Sequence, residues 1–267
     1  MSDPQFRRDL FRGTARDYDR FRVTYPQSLT DDLAERSGAD GRGRLLDLAC
    51  GTGQLTFALH DRFALVWAVD QEPDMISVVR EKAGRIGSIR PVVSAAEDLD
   101  VPSGQFDLVV IGNAFHRLPR ELIAGRAVRW LRPGGFLALA WYDSPWSGEA
   151  PWQEALSAAM KRWRARMATG DRVPAGYEQA RSARPDEAIL SEAGFDFAGR
   201  SEFHADHDWT PDTLVGFLFS TSVLSRAALG RLAADFEVDI RRELHATDPA
   251  GRFRQSISFA YDLFRRP

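Results

Sequence analysis

The sequence predicts an α/β fold: a doubly wound, mostly parallel sheet with helices on both faces. Three observations predict it. Short apolar runs alternate with stretches of helical spacing from Leu45 to Trp141, the pattern of strands buried on both faces. The first run ends in a glycine turn that opens a helix, Gly51-Thr52-Gly53, and the second ends on an acid, Asp70. Right-handed crossovers then lay the helices on both sides of the sheet.

The elements follow in order. Leu45 to Cys50 is an apolar run with one acid inside it, Asp47, and beyond the turn Leu55, Ala58 and Leu59 recur at helical spacing. Ala64 to Val69 is a second buried-type strand, followed by a helix over Asp74 to Ala83. Arg90 to Ser94 reads as a third strand, weakened by Pro91 at its entry. Phe106 to Ile111 is the strongest strand signal. A helix over Arg120 to Trp130 then leads through Pro133-Gly134-Gly135 into Phe136 to Trp141.

Past Trp141 the alternation lapses. An aromatic- and arginine-rich segment carries one helix, Pro151 to Met167. A second helix runs from Pro185 to Ala193, and a strand from Phe195 to His204. Thr210-Pro211 is a helix start, threonine as N-cap and proline in the first helical position. Helical spacing continues to about Leu244, and Phe253 to Leu263 forms a final strand. The expected organisation is a single domain over 1–267. Within it, 1–35 would be an N-terminal cap, 36–143 a cofactor-binding half, 144–184 a cap insertion, and 185–267 the end of the sheet and C-terminal helices.

Composition narrows the function. One cysteine among 267 residues excludes an internal disulfide and a cysteine-based zinc site. A net charge of −3 gives no electrostatic footprint for nucleic acid. There is no long apolar run to span a bilayer and no apolar leader after Met1, so the expectation is a cytoplasmic protein with no membrane partner. Lysine occurs only at Lys82 and Lys161. So diffuse an arginine excess reads as compositional, with guanidinium recognition of anions as the alternative.

Strand, glycine turn, helix and second-strand acid together make a nucleotide-binding device. The glycines let the backbone approach a ligand, and the acid accepts hydrogen bonds from ribose hydroxyls. Two ligands are to be weighed. A dinucleotide site asks for a third glycine where this chain has Thr56. Asp47 in the first strand would repel a pyrophosphate and suits a positively charged ligand. An NAD(P)-dependent oxidoreductase is therefore the weaker reading.

The nine residues from Leu45 to Gly53, LLDLACGTG, resemble the first motif of class I S-adenosylmethionine-dependent methyltransferases. The series continues in order with Val69-Asp70-Gln71-Glu72-Pro73-Asp74-Met75, Ala96-Glu97-Asp98-Leu99, Phe106 to His116, and Leu131-Arg132-Pro133-Gly134-Gly135. The small-molecule branch known as methyltransferase type 11 is the most similar. The resemblance implies a seven-stranded Rossmann-like sheet and transfer of a methyl group from S-adenosyl-L-methionine to a small organic acceptor, leaving S-adenosyl-L-homocysteine. It is compatible with specialised metabolism, no metal, and a monomer or homodimer. A non-catalytic S-adenosylmethionine-binding regulator would carry the same motifs.

By the same resemblance, Asp47, Ala49, Gly51 and Gly53 would border the methionyl part and Asp70 the ribose. Gln71, Met75, Ala96 and Glu97 would border adenine, and Asn113 and Ala114 the sulfonium. Tyr18, Arg22 and Tyr25 belong to an N-terminal segment that would cover the ligand, with Arg22 toward its carboxylate and Tyr25 toward the acceptor. Ala49 stands where many members have glycine, and Arg117 where tryptophan is frequent. His116 is the candidate general base, because imidazole titrates near neutrality; a histidine packed against a ligand is the alternative. His116, Trp141, Trp146 and Phe217 are expected at the acceptor. Gly216 to Ser222 resembles a segment recurrent in this branch, with no role evident from sequence. His204 and His207 match no known metal spacing.

Overall fold

The computed structural model describes residues 6–167 and 172–267. Residues 1–5 of the expected N-terminal cap and 168–171 of the expected insertion lie outside the described residues.

Seven strands form one sheet: β1 Arg44–Leu48, β2 Leu65–Asp70, β3 Ile89–Val93, β4 Phe106–Gly112, β5 Leu131–Tyr142, β6 Asp196–Trp209 and β7 Phe253–Arg265. Their spatial order is β3-β2-β1-β4-β5-β7-β6. The first five are parallel; β7 runs antiparallel between β5 and β6. The helices are α1 Ala15–Phe21, α2 Gln27–Arg36, α3 Gln54–Leu59, α4 Pro73–Ala83, α5 Arg120–Trp130, α6 Pro151–Arg166, α7 Tyr177–Ala183, α8 Asp186–Glu192, α9 Pro211–Phe219, α10 Arg226–Leu229 and α11 Ala233–Thr247.

The strands are apolar throughout because both faces are covered. Leu45, Leu108, Val110 and Ala138 point into a core shared with α2, α3, α6, α9 and α11. Leu46, Leu48, Val109 and Ile111 point into the opposite core, built with α5 and α8. The strand order reverses at the β1/β4 junction, since β2 and β3 lie to one side and β5 to the other. A crevice opens beyond the carboxyl ends of strands at such a junction.

Three expectations need adjustment. The turn at Pro133-Gly134-Gly135 lies inside β5, where pairing with β4 jumps from Leu131 to Phe136 and Gly134 takes a φ of +77°. The strand expected to end at His204 continues to Trp209, because β7 offers a partner along its whole length. The helical spacing from Pro211 to Leu244 is divided into α9, α10 and α11. Ser225 caps α10 by accepting from the Ala228 amide, and Gly230 ends it at a φ of +53°.

Candidate active site

The crevice holds a cavity of about 320 Å³. Ala49 and Gly51 from the turn after β1, Asp70 to Glu72 and Met75 after β2, Ser94, Ala96 and Glu97 after β3, and Gly112 to Ala114 after β4 all line it. Successive βα connections of a parallel sheet open on one edge, so four motifs distant in sequence meet on one wall. A smaller cavity of about 20 Å³ adjoins it through Tyr18, Ala49, Gly112 and Asn113, and adds Tyr25, Asp47, Cys50 and Tyr142.

Asp70 anchors the wall. Its Oδ2 accepts from the Gly51 amide at 2.9 Å and its Oδ1 from the Glu72 amide at 2.9 Å. The carboxylate is thus fixed by two backbone donors, with lone pairs left for a ligand. Partial burial pushes its pKa up and the amides pull it down. Beside it, Glu72 Oε1 is buried with no hydrogen-bond partner among the described residues.

The turn itself demands unusual backbone. Gly51 and Gly53 take φ of +56° and +86°, and a Cβ on Gly51 would lie 3.2 Å from the Tyr18 ring. Ala49 and Asn113 also take positive φ, +57° and +52°, costly for residues with a Cβ. Beneath the turn, Asp47 is 1% exposed and accepts from Thr56 Oγ1 at 2.6 Å. Burial pushes its pKa up to about 7.

The N-terminal segment covers the cavity. Phe6, Leu10, Phe11 and Tyr18 line it. Arg22 on α1's flank lies 4.6 Å from the Tyr18 ring centroid and 4.6 Å from that of Phe217. Its Nε donates to Ser220 Oγ at 2.8 Å and its Nη2 to the Ser220 carbonyl at 3.1 Å. Asn113 Nδ2 donates to the Tyr25 hydroxyl at 3.1 Å.

Tyr18, Ala49, Gly51, Asp70, Gln71, Met75, Ala96, Glu97, Asn113 and Ala114 thus meet around the main cavity, and Asp47 and Tyr25 around the smaller one. Gly53 shapes the turn without lining either cavity, and Arg22 stands behind Tyr18. The expected acceptor residues are placed differently. His116 lines neither cavity; its Nε2 accepts from Arg117 Nε at 3.2 Å, and burial with the nearby Arg117 charge pushes its pKa down to about 3. An imidazole so placed is a poor general base. Phe217 is 1% exposed, with Trp146 at 5.8 Å and Trp209 at 5.6 Å between ring centroids. Trp141 lies under Arg200, 4.9 Å from ring centroid to guanidinium. Phe217 thus fills core, with Trp146 packed against it, and Trp141 stays half-buried on the sheet away from both cavities.

Arg117, Leu118, Pro119 and Leu122 at the start of α5, and Phe6 to Phe11, line the cavity without having been expected there. The signal for Arg117 was its departure from the more frequent tryptophan. The segment before α1 carried none, because an isolated Phe-Arg-Arg run does not reveal which surface it covers.

Among the described residues no helix is long and apolar enough to cross a membrane, and no group of three or more His, Cys, Asp or Glu side chains would hold a metal ion.

Residues 46–139 match a family model described as a methyltransferase domain. An uncharacterised methyltransferase of Mycobacterium tuberculosis is 33% identical over 138 residues, which is 51% of this chain and 54% of that protein; the chain spans about half the length of the curated relatives it matches. A structure from Anaeromyxobacter dehalogenans, described as a candidate type II methyltransferase, aligns over 92% of this chain and 97% of that one, with a TM-score of 0.60 and 23% identity. The [4+2]-cyclase SpnF aligns over 92% of this chain and 84% of its own, with a TM-score of 0.52 and 18% identity. These two likenesses concern the fold, which hosts more than one chemistry. The family match assigns residues 46–139 to a methyltransferase domain, and the strand order with the ordered motifs supports the class I S-adenosylmethionine-dependent group.

Proposed function

We propose that this protein transfers a methyl group from S-adenosylmethionine to a small organic acceptor. The observation that carries the reading is the Asp70 carboxylate, held by the Gly51 and Glu72 amides on the wall of a cavity lined from four strand ends. The cavity fits the proposed methyl donor. Glu72 Oε1 is a buried acceptor in need of a donor, as a ribose hydroxyl would supply. A Cβ on Gly51 would crowd the space under Tyr18.

Within this reading Asp70 holds the ribose, Met75, Ala96 and Glu97 border the adenine, and Arg22, behind Tyr18, adds positive charge toward the methionyl carboxylate without lining the cavity. Asp47 sits behind the turn as the counter-charge for the α-ammonium. When bound, S-adenosylmethionine supplies an activated methyl group on a sulfonium. The protein's own contribution is to orient the acceptor and exclude water, with Tyr18 and the segment from Phe6 to Phe11 as the cover.

A nicotinamide cofactor is disfavoured by a specific contact: Thr56 is bonded to buried Asp47, so a carboxylate lies where a pyrophosphate would approach. The reading includes no nucleic-acid or membrane partner, a cytoplasmic setting, one domain over 1–267, and a monomer or homodimer. Isothermal calorimetry with S-adenosylhomocysteine tests it. Saturable binding that is lost in Asp70→Ala supports it, whereas no binding to the wild type defeats it. Intact binding without turnover over a broad acceptor panel would favour a non-catalytic regulator.

A further inference from the structure

We propose that the acceptor is a small monocarboxylate with an apolar body, and that Arg117 binds its carboxylate. The inference rests on the methyltransferase reading and deepens it.

Arg117 is partly buried and lines the main cavity. Its Nε donates to His116 Nε2 and its Nη1 to Ser222 Oγ, at 3.2 and 2.9 Å. Both partners are neutral, and they leave Nη2 without a hydrogen-bond partner among the described residues. No carboxylate pairs with it among those residues either. Other arginines differ: Arg120 pairs with Asp186, Arg132 with Asp107 and Arg200 with Asp262. The acids on the cavity wall, Asp70, Glu72 and Glu97, form no ion pair with Arg117 among the described residues. Asp70 is held by two amides, and Glu97 pairs with Arg8 at 2.8 Å.

A partly dehydrated guanidinium with a free nitrogen calls for an anion. The nearby Arg22 charge increases the demand, because it repels Arg117. Arg22 lines neither cavity, and Arg7 and Arg8 on the wall pair with Asp9 and Glu97, so Arg117 is the wall arginine without a carboxylate partner among the described residues, which matches a monoanion. Dehydration and Arg22 push the Arg117 pKa down to about 10, so it stays charged at neutral pH. The surroundings specify the rest of the ligand. The Phe6 and Phe11 ring centroids lie 5.5 and 5.2 Å from the guanidinium, and Leu10, Leu118 and Leu122 line the same cavity.

The segment from Gly216 to Ser222 gains a role here. Ser220 holds Arg22 and Ser222 holds Arg117. Arg172 donates to the Ser222 carbonyl from the other side. One turn after α9 therefore positions both guanidiniums.

The test is calorimetric titration of the full chain with benzoate, phenylacetate and octanoate, their neutral amides, and inorganic phosphate. Each titration is run with and without saturating S-adenosylhomocysteine. The expected result is that at least one carboxylate binds tenfold or more tighter than its amide and than phosphate. Arg117→Gln should abolish that preference while keeping S-adenosylhomocysteine affinity within twofold. Ser222→Ala should reduce the preference, and Arg117→Lys should restore part of it. Amides binding as well as carboxylates, no carboxylate binding at all, or a preference that survives Arg117→Gln would overturn the proposal. Tighter binding of phosphate would overturn it in favour of a phosphorylated acceptor. Failure of S-adenosylhomocysteine to bind defeats the methyltransferase reading instead, and the arm without it still reports on Arg117.

Discussion

The Thr56 hydroxyl donates to Asp47 Oδ2 at 2.6 Å beneath the glycine turn, and it is the only side-chain hydrogen bond to that carboxylate among the described residues. The Thr56 hydroxyl and backbone amide together do not offset burial, and the Asp47 pKa rises to about 7. In the free protein the carboxyl is therefore largely protonated at pH 6. A ligand carrying an ammonium group favours the carboxylate and expels that proton. S-adenosylhomocysteine affinity should then rise with pH up to about 7 and level off above it. Calorimetry at pH 6.5 in two buffers of different ionisation enthalpy checks this, through net proton release. Thr56→Val should move the midpoint upward, and a pH-independent affinity would remove Asp47 from the site.

Asp70→Ala should weaken S-adenosylhomocysteine binding by about 1–3 kcal/mol, the cost of stranding polar groups in a closed site. Its loss also frees the Gly51 and Glu72 amides, so the turn loosens as well. Asp70→Asn keeps an acceptor oxygen for only one of those amides and should fall between the two. Unchanged affinity for Asp70→Ala would place the ribose elsewhere.

Ala49→Gly should stabilise the protein. Ala49 holds a φ of +57°, where a side chain costs roughly 1 kcal/mol relative to glycine, while glycine loses more freedom on folding. The left-handed backbone dominates because the turn is pinned by the Gly51–Asp70 bond. Urea unfolding should show a higher midpoint at an unchanged slope.

Gly216→Ala should loosen the cover over the site without touching it. A Cβ there would fall 2.3 Å from the Phe21 ring, so α1 must move away from α9. Overpacking of this kind costs roughly 1–3 kcal/mol, and α1 carries Tyr18 while Arg22 follows it directly. Proteolysis within the first 25 residues should speed up and S-adenosylhomocysteine affinity should fall, whereas a substitution with neither effect would separate that helix contact from ligand binding.

The cavity wall built from the strand ends was legible because local rules govern it. Gly51, Gly53 and Asp70 sit at strand ends whose apolar runs announce them, and a parallel sheet brings strand ends together whatever the loops do. The acceptor side obeyed no such rule. Trp141, Trp146 and Phe217 were aromatics near the right edge, but whether an aromatic fills core or lines a cavity depends on how helices pack. Phe217 is held by Trp146 and Trp209, residues 71 and 8 positions away in a chain whose folding back is invisible in any window. His116 was adjacent to the right place, and its neighbour Arg117 took the cavity. A short helical turn over Phe115–Arg117 makes consecutive side chains diverge, a rotation that strand-end reasoning did not include.

That divergence yields a prediction about His116. Burial and the Arg117 charge push its pKa from about 6.5 in the unfolded chain to about 3 in the folded one. A depressed basic group binds its proton more tightly when unfolded, so its stabilising contribution is full above pH 6.5 and is lost as pH falls toward 3. The Asp47 carboxyl has the opposite sign: raised to about 7, it favours the fold at low pH and loses that contribution as pH rises from about 4 to 7. The two oppose each other between pH 4 and 6.5, so the wild type should show a shallow stability profile there. His116→Gln, which keeps an oxygen to accept from Arg117 Nε without a titrating ring, should make stability fall more steeply from pH 4 to 6.5. Urea unfolding midpoints across that range measure it. Nuclear magnetic resonance of the His116 ring should show no titration between pH 5 and 8. A midpoint near 6.5 would restore the imidazole as a candidate base and would break its bond to Arg117.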